Sequence, residues 1–329
     1  MKKNIFKKVI AMTAAIALVA TLSTGCGGNA AGGDDANGGQ AEKKVVGVIL
    51  NHTQDIFMKN IEKGVKEAAA KHPELEVKIV ESGQDPTKQL SQVEQFISEG
   101  VDLIALNPTN QEASATAIDS AVSAGIPILT FNTTSTPEAQ AKCVAYVGSD
   151  ATESGRIQAR YVAEEVLKGK GTVAYMNALM GHQAQIDRLK GYQEIMKDYP
   201  DIKVVLEGAA DFVTDKGMKL TENWLQSGTQ FDIIVCQGAD MAYGACLALQ
   251  DAGKLGQIKV SGIDITEDTV KLLKEGAISN LVFQDAMGQG AGAVDTAAKV
   301  LNGEKVDAVI DIPYQLVTVD NVDEFAGRY

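Results

Sequence analysis

Short apolar runs of strand length alternate along the chain with longer segments in which apolar residues recur every three or four positions. The short runs consist mainly of Val, Ile and Leu, as in strands that are buried on both faces of a parallel sheet. The longer segments, such as "IFMKNIEKGVKEAAAKH" and "PTKQLSQVEQFISEG", have the period of amphipathic helices. Eleven strands are predicted, in "KVVGVIL", "EVKIVES", "DLIALNP", "PILTFN", "CVAYVG", "GTVAYMN", "IKVVLEG", "FDIIVCQ", "IKVSGID", "SNLVFQD" and "DAVIDIP".

Repeated strand–helix–strand units predict an α/β protein with doubly wound parallel sheets. Eleven strands are many for one open sheet and divide naturally between two. A new strand–helix series begins in "YVGSDATESG", directly after Gly148. We therefore predict two similar lobes whose facing sheet edges form a cleft, because ligands bind beyond the carboxyl ends of parallel strands. Such a cleft can close by a hinge motion.

The N-terminal residues predict export and a lipid anchor. "MKKNIFKK" contains four lysines, the apolar stretch Val9–Leu22 follows, and small residues precede Cys26. This order is typical of a signal peptide, here residues 1–25, and the apolar stretch is shorter than the ~20 residues that span a membrane. Cys26 resembles the lipidated cysteine of bacterial lipoproteins. An ordinary signal peptide with an incidental cysteine is the alternative.

The segment after the signal peptide, residues 26–42, is rich in Gly, Ala, Asn and Asp and is predicted to be a flexible tether. The expected location is therefore outside the cytoplasm, with the protein held at a membrane by a lipidated Cys26. The remaining body, about residues 43–329, is long enough for two domains. The formal net charge of −13 argues against a nucleic-acid partner.

Three further cysteines follow Cys26, and no CxxC motif occurs. Cys143 and Cys236 lie in apolar strand-like runs, and Cys246 lies in a helix-like one. Buried free thiols are the interpretation that this placement favours. A disulfide between Cys236 and Cys246 is the alternative.

No motif predicts an enzyme. The three histidines lie far apart in the sequence, and no cluster has the spacing of zinc ligands. The patterns GxxxxGK[ST] and GxSxG are absent. Gly288, Gly290 and Ala293 satisfy GxGxxA, which could indicate a dinucleotide site, but close helix packing explains these small residues equally well. We therefore expect neither a metal nor a cofactor.

A family resemblance becomes specific when the predicted units are taken in order. The segments that carry it are "QLSQVEQFISEGVDLIALNPTN", "SAGIPILTFN", "YVGSDATESGRIQARYVAEEV", "DRLKGYQE", "VSGIDIT" and "VFQDAMGQGAGAVDTAAKVLNGEKV". Through these segments, the chain from about residue 44 to 320 resembles the periplasmic sugar-binding proteins of ABC transporters, the ribose-binding type. Three segments, "TENWLQSGTQFD", "GIDITED" and "IPYQLVTVDN", are most similar to members that bind myo-inositol.

The resemblance implies the periplasmic binding protein type I fold, in which the chain crosses between two lobes three times. It implies an N-terminal lobe of residues 43–148 and 286–314. The C-terminal lobe would comprise residues 149–285 and 315–329. The crossings would lie near Gly148–Asp150, Gln284–Ala286 and Pro313–Gln315.

Seven positions match ligand contacts of the family. Planar carboxylate, amide and guanidinium groups can bond neighbouring hydroxyls of a sugar, and aromatic faces can cover its ring. Each position also has a structural interpretation, such as a helix cap, a turn, a hinge or a core position. His182 and Gln183 are weaker candidates. The seven predicted ligand-binding residues are Asp55, Phe57, Asn132, Arg188, Phe212, Asp264 and Gln284.

The chain departs from the ribose-type pattern at two places. Asn132 and Thr133 stand where that pattern has Asp and Arg, so one bidentate clamp is missing. Gly238, in "GADMAYG", stands where the pattern has an amide. The ligand is therefore left open between a monosaccharide and a cyclitol such as inositol.

The resemblance implies a lipid-anchored solute-binding protein, monomeric and without catalytic activity. Its partners would be a small polyhydroxylated ligand, an ABC permease and the ATPase of that permease. Ligand binding would close the cleft, and the closed form would dock on the permease. The alternative is a sensor that presents the same closed form to a chemoreceptor or a sensor kinase.

Overall fold

The structure, a computed structural model, describes residues 43–328, so Cys26, the predicted signal peptide and the predicted tether lie outside the described residues. The first of two six-stranded sheets has the order β2-β1-β3-β4-β5-β11, with all neighbouring strands parallel. Its strands are β1 (Lys44–Leu50), β2 (Leu75–Glu81), β3 (Leu103–Leu106), β4 (Ile128–Phe131), β5 (Tyr146–Gly148) and β11 (Val309–Asp311).

The second sheet repeats this arrangement. Its order is β7-β6-β8-β9-β10-β12, and only the β10–β12 pair is antiparallel. The two sheets confirm the predicted pair of similar doubly wound lobes. The strands are β6 (Gly171–Asn177), β7 (Ile202–Ala209), β8 (Ile233–Cys236), β9 (Lys259–Ile263), β10 (Ile278–Phe283) and β12 (Gln315–Val317).

Helices cover both faces of each sheet, and a buried apolar core fills each interface between a sheet and its helices. Helix α5 continues into a π-helical turn, Val162–Val166, and the last turn, Val322–Phe325, is 3-10. No helix within residues 43–328 is long and apolar enough to cross a membrane. The helices are α1 (Ile56–Lys71), α2 (Pro86–Glu99), α3 (Gln111–Ser123), α4 (Pro137–Gln140), α5 (Ala151–Tyr161), α6 (Gln183–Met196), α7 (Thr214–Gln226), α8 (Ala239–Asp251), α9 (Glu267–Lys274) and α10 (Ala286–Leu301).

The chain passes between the lobes three times. It leaves the first sheet after β5 and enters the second lobe, and it returns when α10, which follows β10, packs on the core of the first lobe. The third passage joins β11 to β12. A polar network ties these segments together: Gln289 donates to Ser149 Oγ at 2.9 Å, and Ser149 donates to the carbonyl oxygen of Ile312. The lobe limits predicted above stay predictions.

Glycine pairs allow three helix pairs to pack backbone against backbone. A Cβ atom on Gly290 of α10 would overlap the carbonyl oxygen of Ile61, and one on Gly64 of α1 would overlap that of Met287. Ala293 is fully buried in the same core. This close contact accounts for Gly290 and Ala293 of the GxGxxA pattern, as the packing interpretation predicted, whereas a Cβ atom on Gly288 would meet the side chain of Asp285 at the start of α10. Comparable overlaps at Gly155 and Gly191 join α5 to α6, and those at Gly217 and Gly244 join α7 to α8.

The three described cysteines are free thiols. Cys236 and Cys246 are buried but not bonded to each other, so the disulfide alternative is wrong. Cys143 is only half-buried. Cys143 also precedes its strand, since β5 begins at Tyr146. Burial raises the pKa of Cys143 and that of Cys246 to about 12. These two thiols therefore stay protonated near neutral pH.

His72 joins the end of α1 to α10. Its Nε2 lies 2.8 Å from Asp295 Oδ1, and its Nδ1 lies 2.9 Å from Glu74 Oε1. The hydrogen bonds to Asp295 and then Glu74 raise the pKa of His72 above its ordinary value of 6.5. The folded state therefore binds this proton more tightly than the unfolded state. The resulting stabilisation is complete below pH 6.5 and is lost as the pH rises through the raised pKa.

We expect His72→Gln to lower the free energy of unfolding most in acid. Urea unfolding of both proteins should show their largest difference near pH ~5.5 and a shrinking difference towards pH ~8.5. The glutamine keeps a polar side chain of similar length, so the comparison isolates the titrating charge. A difference that stays constant over this range would contradict the prediction.

Candidate functional site

A cleft of about 1020 Å³ lies between the lobes, where the carboxyl ends of both sheets face each other. All seven residues predicted to bind the ligand line it. The first lobe contributes Asp55, Phe57 and Asn132. The second lobe contributes the other four, which are Arg188, Phe212, Asp264 and Gln284.

Asp55 has a structural role as well as a place in the cleft. It is the N-cap of α1, and its Oδ1 accepts from the backbone N–H of Met58 at 2.8 Å. Its Oδ2 lies 3.4 Å from His52 Nε2, and the Asp55 side chain remains more than half exposed. Phe57, in the first turn of α1, is half-buried and packs on the core of the first lobe. The first wall therefore presents one carboxylate oxygen beside a fixed ring.

Asn132 follows β4 with a left-handed φ of 61°. Its Nδ2 donates to Gln289 Oε1 at 2.9 Å, and its Oδ1 accepts from Asn107 Nδ2 and Thr133 Oγ1, each at 3.3 Å. These bonds fix the amide, tie the first lobe to α10 and leave the second N–H of Nδ2 for a ligand. Asn132 thus acts as a turn residue and as part of the cleft wall.

Arg188 is the centre of the second wall. It lies on α6, and only 3% of its surface is exposed. Its Nη1 donates to the carbonyl oxygen of Gln237 at 2.5 Å, and its Nη2 donates to Gln284 Oε1 at 3.2 Å. Asp264 Oδ2 lies 3.7 Å from Nη2. The guanidinium group therefore bonds Gln284 and lies within ion-pair distance of Asp264, so Arg188 is a buried part of the cleft wall.

Asp264 has a left-handed φ of 73°, directly after β9. Burial raises the pKa of its carboxyl, Arg188 opposes this shift, and the charges of Asp240 and Asp55 add to it. Its Oδ1 and Arg188 Nε are inaccessible to solvent and have no hydrogen-bond partner among the described residues. Such groups are rare in folded proteins because leaving them unpaired costs free energy. Hydroxyl groups both donate and accept, so they suit a cleft wall built from the arginine, carboxylate and amide groups of these residues.

Phe212 forms the second ring of the cleft. It has a left-handed φ of 63°, and its ring meets His182 edge to face at a centroid distance of 5.6 Å. A Cβ atom on Gly238 would lie only 3.0 Å from Phe212 Cδ1. The glycine at this departure from the family pattern therefore makes room for the ring. A side chain here would press on Phe212.

Several residues of the cleft were not predicted from the sequence. Tyr314 is buried in the hinge, and its hydroxyl lies 3.5 Å from Arg188 Nη2. The Tyr146 hydroxyl donates to the carbonyl oxygen of Asn132 at 3.0 Å. Asp240, in the first turn of α8, also faces the cleft. The sequence did contain a clue to Tyr314, because this residue follows Pro313 at one of the predicted crossings between the lobes.

The chemistry of the cleft is that of recognition by hydrogen bonds. Its polar groups are planar carboxylates, amides and a guanidinium, set between the rings of Phe57 and Phe212. In the part of the chain that the structure describes, no group of three or more His, Cys, Asp or Glu is placed to hold a metal. The arrangement can hold several hydroxyl groups of one small molecule between two ring faces.

Comparison with known proteins agrees with the fold. Residues 46–305 match the family model of the periplasmic binding protein domain. A putative rhizopine-binding protein of Rhizobium meliloti is 32% identical over 88% of this chain and 94% of its own. The ribose import binding protein of Bacillus subtilis is 31% identical over 86% of this chain and 90% of its own.

A solved structure resembles both the sequence and the fold. It is an ABC transporter solute-binding protein of Bacillus halodurans with bound myo-inositol. Its sequence is 40% identical to this one, the match covers 88% of this chain and 100% of that one, and the TM-score is 0.79. The chain therefore belongs to the periplasmic binding protein family and is a solute-binding protein of the ribose-binding type.

Proposed function

We propose that this protein captures a monosaccharide or a cyclitol such as inositol for uptake by an ABC transporter. The observation that carries the proposal is the set of planar polar groups around Arg188, Asp264 and Gln284, in a cleft with two aromatic rings. The names of the relatives support this ligand class, since they refer to rhizopine, ribose and xylitol. The bound myo-inositol in the structure at 40% identity supports a cyclitol.

The proposed mechanism is closure of the cleft around the ligand. As a member of a family of binding proteins, the chain makes and breaks no bond in its ligand. A ligand that contacts Asp55 and Phe57 from one lobe and Arg188 and Asp264 from the other binds the closed form better than the open one. It therefore shifts the population to the closed form by that difference in affinity. The closed form then docks on the permease, which works with its ATPase.

The first test is a thermal-shift screen across pentoses, hexoses and inositols, with nucleosides and amino acids as controls. A ligand that binds only the native state must raise the melting temperature in proportion to ln(1 + [L]/Kd). We expect carbohydrates or cyclitols to produce the largest shifts, and about 2.7 kcal/mol of stabilisation at a hundredfold excess over Kd. A screen in which no member of these two groups raises the melting temperature would contradict the proposed ligand class.

We further propose that the mature chain begins at a diacylated Cys26, works as a monomer outside the cytoplasm and touches the membrane only through this anchor. Two acyl chains suffice for stable membrane attachment. We expect Cys26→Ser to move the protein from the membrane fraction to the soluble fraction after cell fractionation. Cys143→Ser is the matched control and should stay with the membrane. Membrane retention of Cys26→Ser would contradict the anchor.

A further inference from the structure

A relay of hydrogen bonds leads from the amide of Asn132, in the cleft wall, to the hinge. Asn132 Nδ2 donates to Gln289 Oε1 at 2.9 Å, and Gln289 Nε2 donates to Ser149 Oγ at 2.9 Å. The Ser149 hydroxyl donates in turn to the carbonyl oxygen of Ile312 at 2.5 Å. Ser149 follows β5 and Ile312 follows β11, so the relay reaches the first and the third passage between the lobes.

The direction of the relay is fixed at its hinge end. A carbonyl oxygen carries no proton, so the Ser149 hydroxyl must be the donor to Ile312. The hydroxyl oxygen of Ser149 is then left to accept, and the NH2 end of Gln289 must be the group that donates to it. Gln289 therefore turns Oε1 towards Asn132, which has to present its own NH2 end. A backbone carbonyl in the hinge thus determines how an amide in the cleft wall is turned.

Asn107 imposes the same orientation from the other side. This side chain is fully buried, its Oδ1 accepts from the backbone N–H of Asn51 at 3.2 Å, and its Nδ2 donates to the carbonyl oxygen of Phe131 at 3.1 Å. The backbone therefore fixes both ends of the Asn107 amide. Its Nδ2 also donates to Asn132 Oδ1 at 3.3 Å. The Asn132 amide is thus held in one orientation from two sides, although a free amide can exchange its two ends by a half-turn.

Gln289 is the part of the relay that has no contact with the cleft. It is fully buried near the start of α10 and is not one of the residues that line the cleft. Burial of an amide costs free energy unless its polar groups are bonded, and both ends of this amide are bonded. A leucine of similar size would fill the same space without that cost. The two hydrogen bonds are therefore what glutamine contributes at this position.

Building on the proposed function, we propose that Gln289 is a positioning residue that makes Asn132 a fixed hydrogen-bond donor to the ligand. One N–H of Asn132 Nδ2 is bonded to Gln289, and the other is left for the cleft. Because the relay cannot reverse, the first lobe offers a donor at this point and does not offer the Oδ1 acceptor. The ligand must therefore place an oxygen lone pair here. This preference is anchored in the hinge, at the carbonyl oxygen of Ile312.

A double-mutant cycle tests the fixed direction without any ligand. Asn132→Asp keeps the shape of the side chain, but its carboxylate can only accept. Gln289 must then turn its NH2 end towards position 132, and Ser149 must leave Ile312 to donate to Gln289. Ser149→Ala removes this conflict in advance. We expect Asn132→Asp to lower the melting temperature by at least ~3 °C more in the wild type than in Ser149→Ala. The added negative charge is present in both backgrounds and cancels.

Ser120→Ala provides the matched control cycle. Ser120 also donates to a backbone carbonyl, that of Thr116, but lies on α3 outside the relay. Asn132→Asp should therefore have the same effect in Ser120→Ala as in the wild type. Equal effects in the wild type and in Ser149→Ala would overturn the fixed direction. The cycle uses no ligand, so its result is independent of the proposed function, which the thermal-shift screen tests.

Calorimetric titration with the best ligand from the thermal-shift screen tests the positioning role. Gln289→Leu removes the acceptor for Asn132 and should weaken binding about tenfold. Gln289→Glu keeps an acceptor for Asn132 Nδ2 and should bind within about threefold of the wild type. Its buried charge should nevertheless lower the melting temperature. A purely structural role would make this charged variant the weaker binder of the two. Gln95→Leu, at an exposed position of α2, is the control and should bind normally.

Two results of the titration would overturn the positioning role of Gln289. One is wild-type affinity in Gln289→Leu, and the other is an equal loss of affinity in Gln289→Leu and Gln289→Glu. Thermal unfolding without ligand shows whether each variant is folded. If the buried charge prevents Gln289→Glu from folding, Gln289→Leu and the cycle at Asn132 and Ser149 decide the proposal.

Discussion

Replacement of Arg188 by alanine is expected to reduce affinity for the polyol ligand by about thirtyfold or more, which corresponds to ~2 kcal/mol. The side chain is buried and holds Gln237, Gln284 and Asp264 at once. Its removal takes one donor from the ligand and leaves Asp264 without the guanidinium group that lies 3.7 Å away. A partly buried carboxylate that loses its partner carries an uncompensated desolvation cost. This one substitution therefore displaces two other predicted ligand contacts, Gln284 and Asp264.

The measurement is calorimetric titration of the wild type and the variant with the best ligand from the thermal-shift screen. Arg188→Lys should recover part of the affinity, because lysine keeps the charge but cannot form the planar fork of bonds. Lys190→Ala, on the exposed side of α6, is the matched control and should bind normally. Thermal unfolding without ligand shows whether each variant is folded. Wild-type affinity in folded Arg188→Ala would rule out the proposed arrangement of the site.

Most of the fold could be predicted from the sequence because its signals are local. Apolar runs marked eleven of the twelve described strands, and the repeated units indicated two sheets. The missed strand, β12 (Gln315–Val317), has three residues and two of them are only half-buried. It pairs antiparallel with β10, far away in the sequence. A segment this short has no periodicity of its own, so only the tertiary pairing defines it.

In the site, too, the positions marked by local sequence features could be predicted, and the contacts between distant residues could not. Strand ends and family motifs identified seven positions, and all seven line the cleft. Their partners could not be predicted, since the amide of Asn132 bonds to Gln289, 157 positions later. The fit between Gly238 and Phe212 likewise depends on two separate loops. Such contacts follow from how the elements pack, which the order of residues alone does not reveal.

Replacement of Gly191 by alanine is expected to lower the free energy of unfolding by ~2 kcal/mol or more. The added methyl group would overlap the carbonyl oxygen of Thr152 and lie 3.0 Å from the backbone nitrogen of Arg156. These are backbone atoms, so no side chain can rotate away, and α6 must move from α5. The higher helix propensity of alanine offsets only ~1 kcal/mol of this loss in stability. The steric overlap therefore outweighs the gain in helix propensity, and Gly191→Ala should be destabilising.

The movement of α6 gives this prediction a second readout, because Arg188 lies one turn before Gly191 on the same buried face. A displaced α6 shifts the guanidinium group away from Asp264 and Gln284, so Gly191→Ala should weaken ligand binding as well as stability. Urea unfolding measures the first effect and calorimetry the second, with Lys190→Ala as the control for both. A Gly191→Ala protein within ~0.5 kcal/mol of the wild type would show that the helices tolerate a wider spacing. Lost stability with unchanged affinity would instead show that Asp264 and Gln284 move together with the helix.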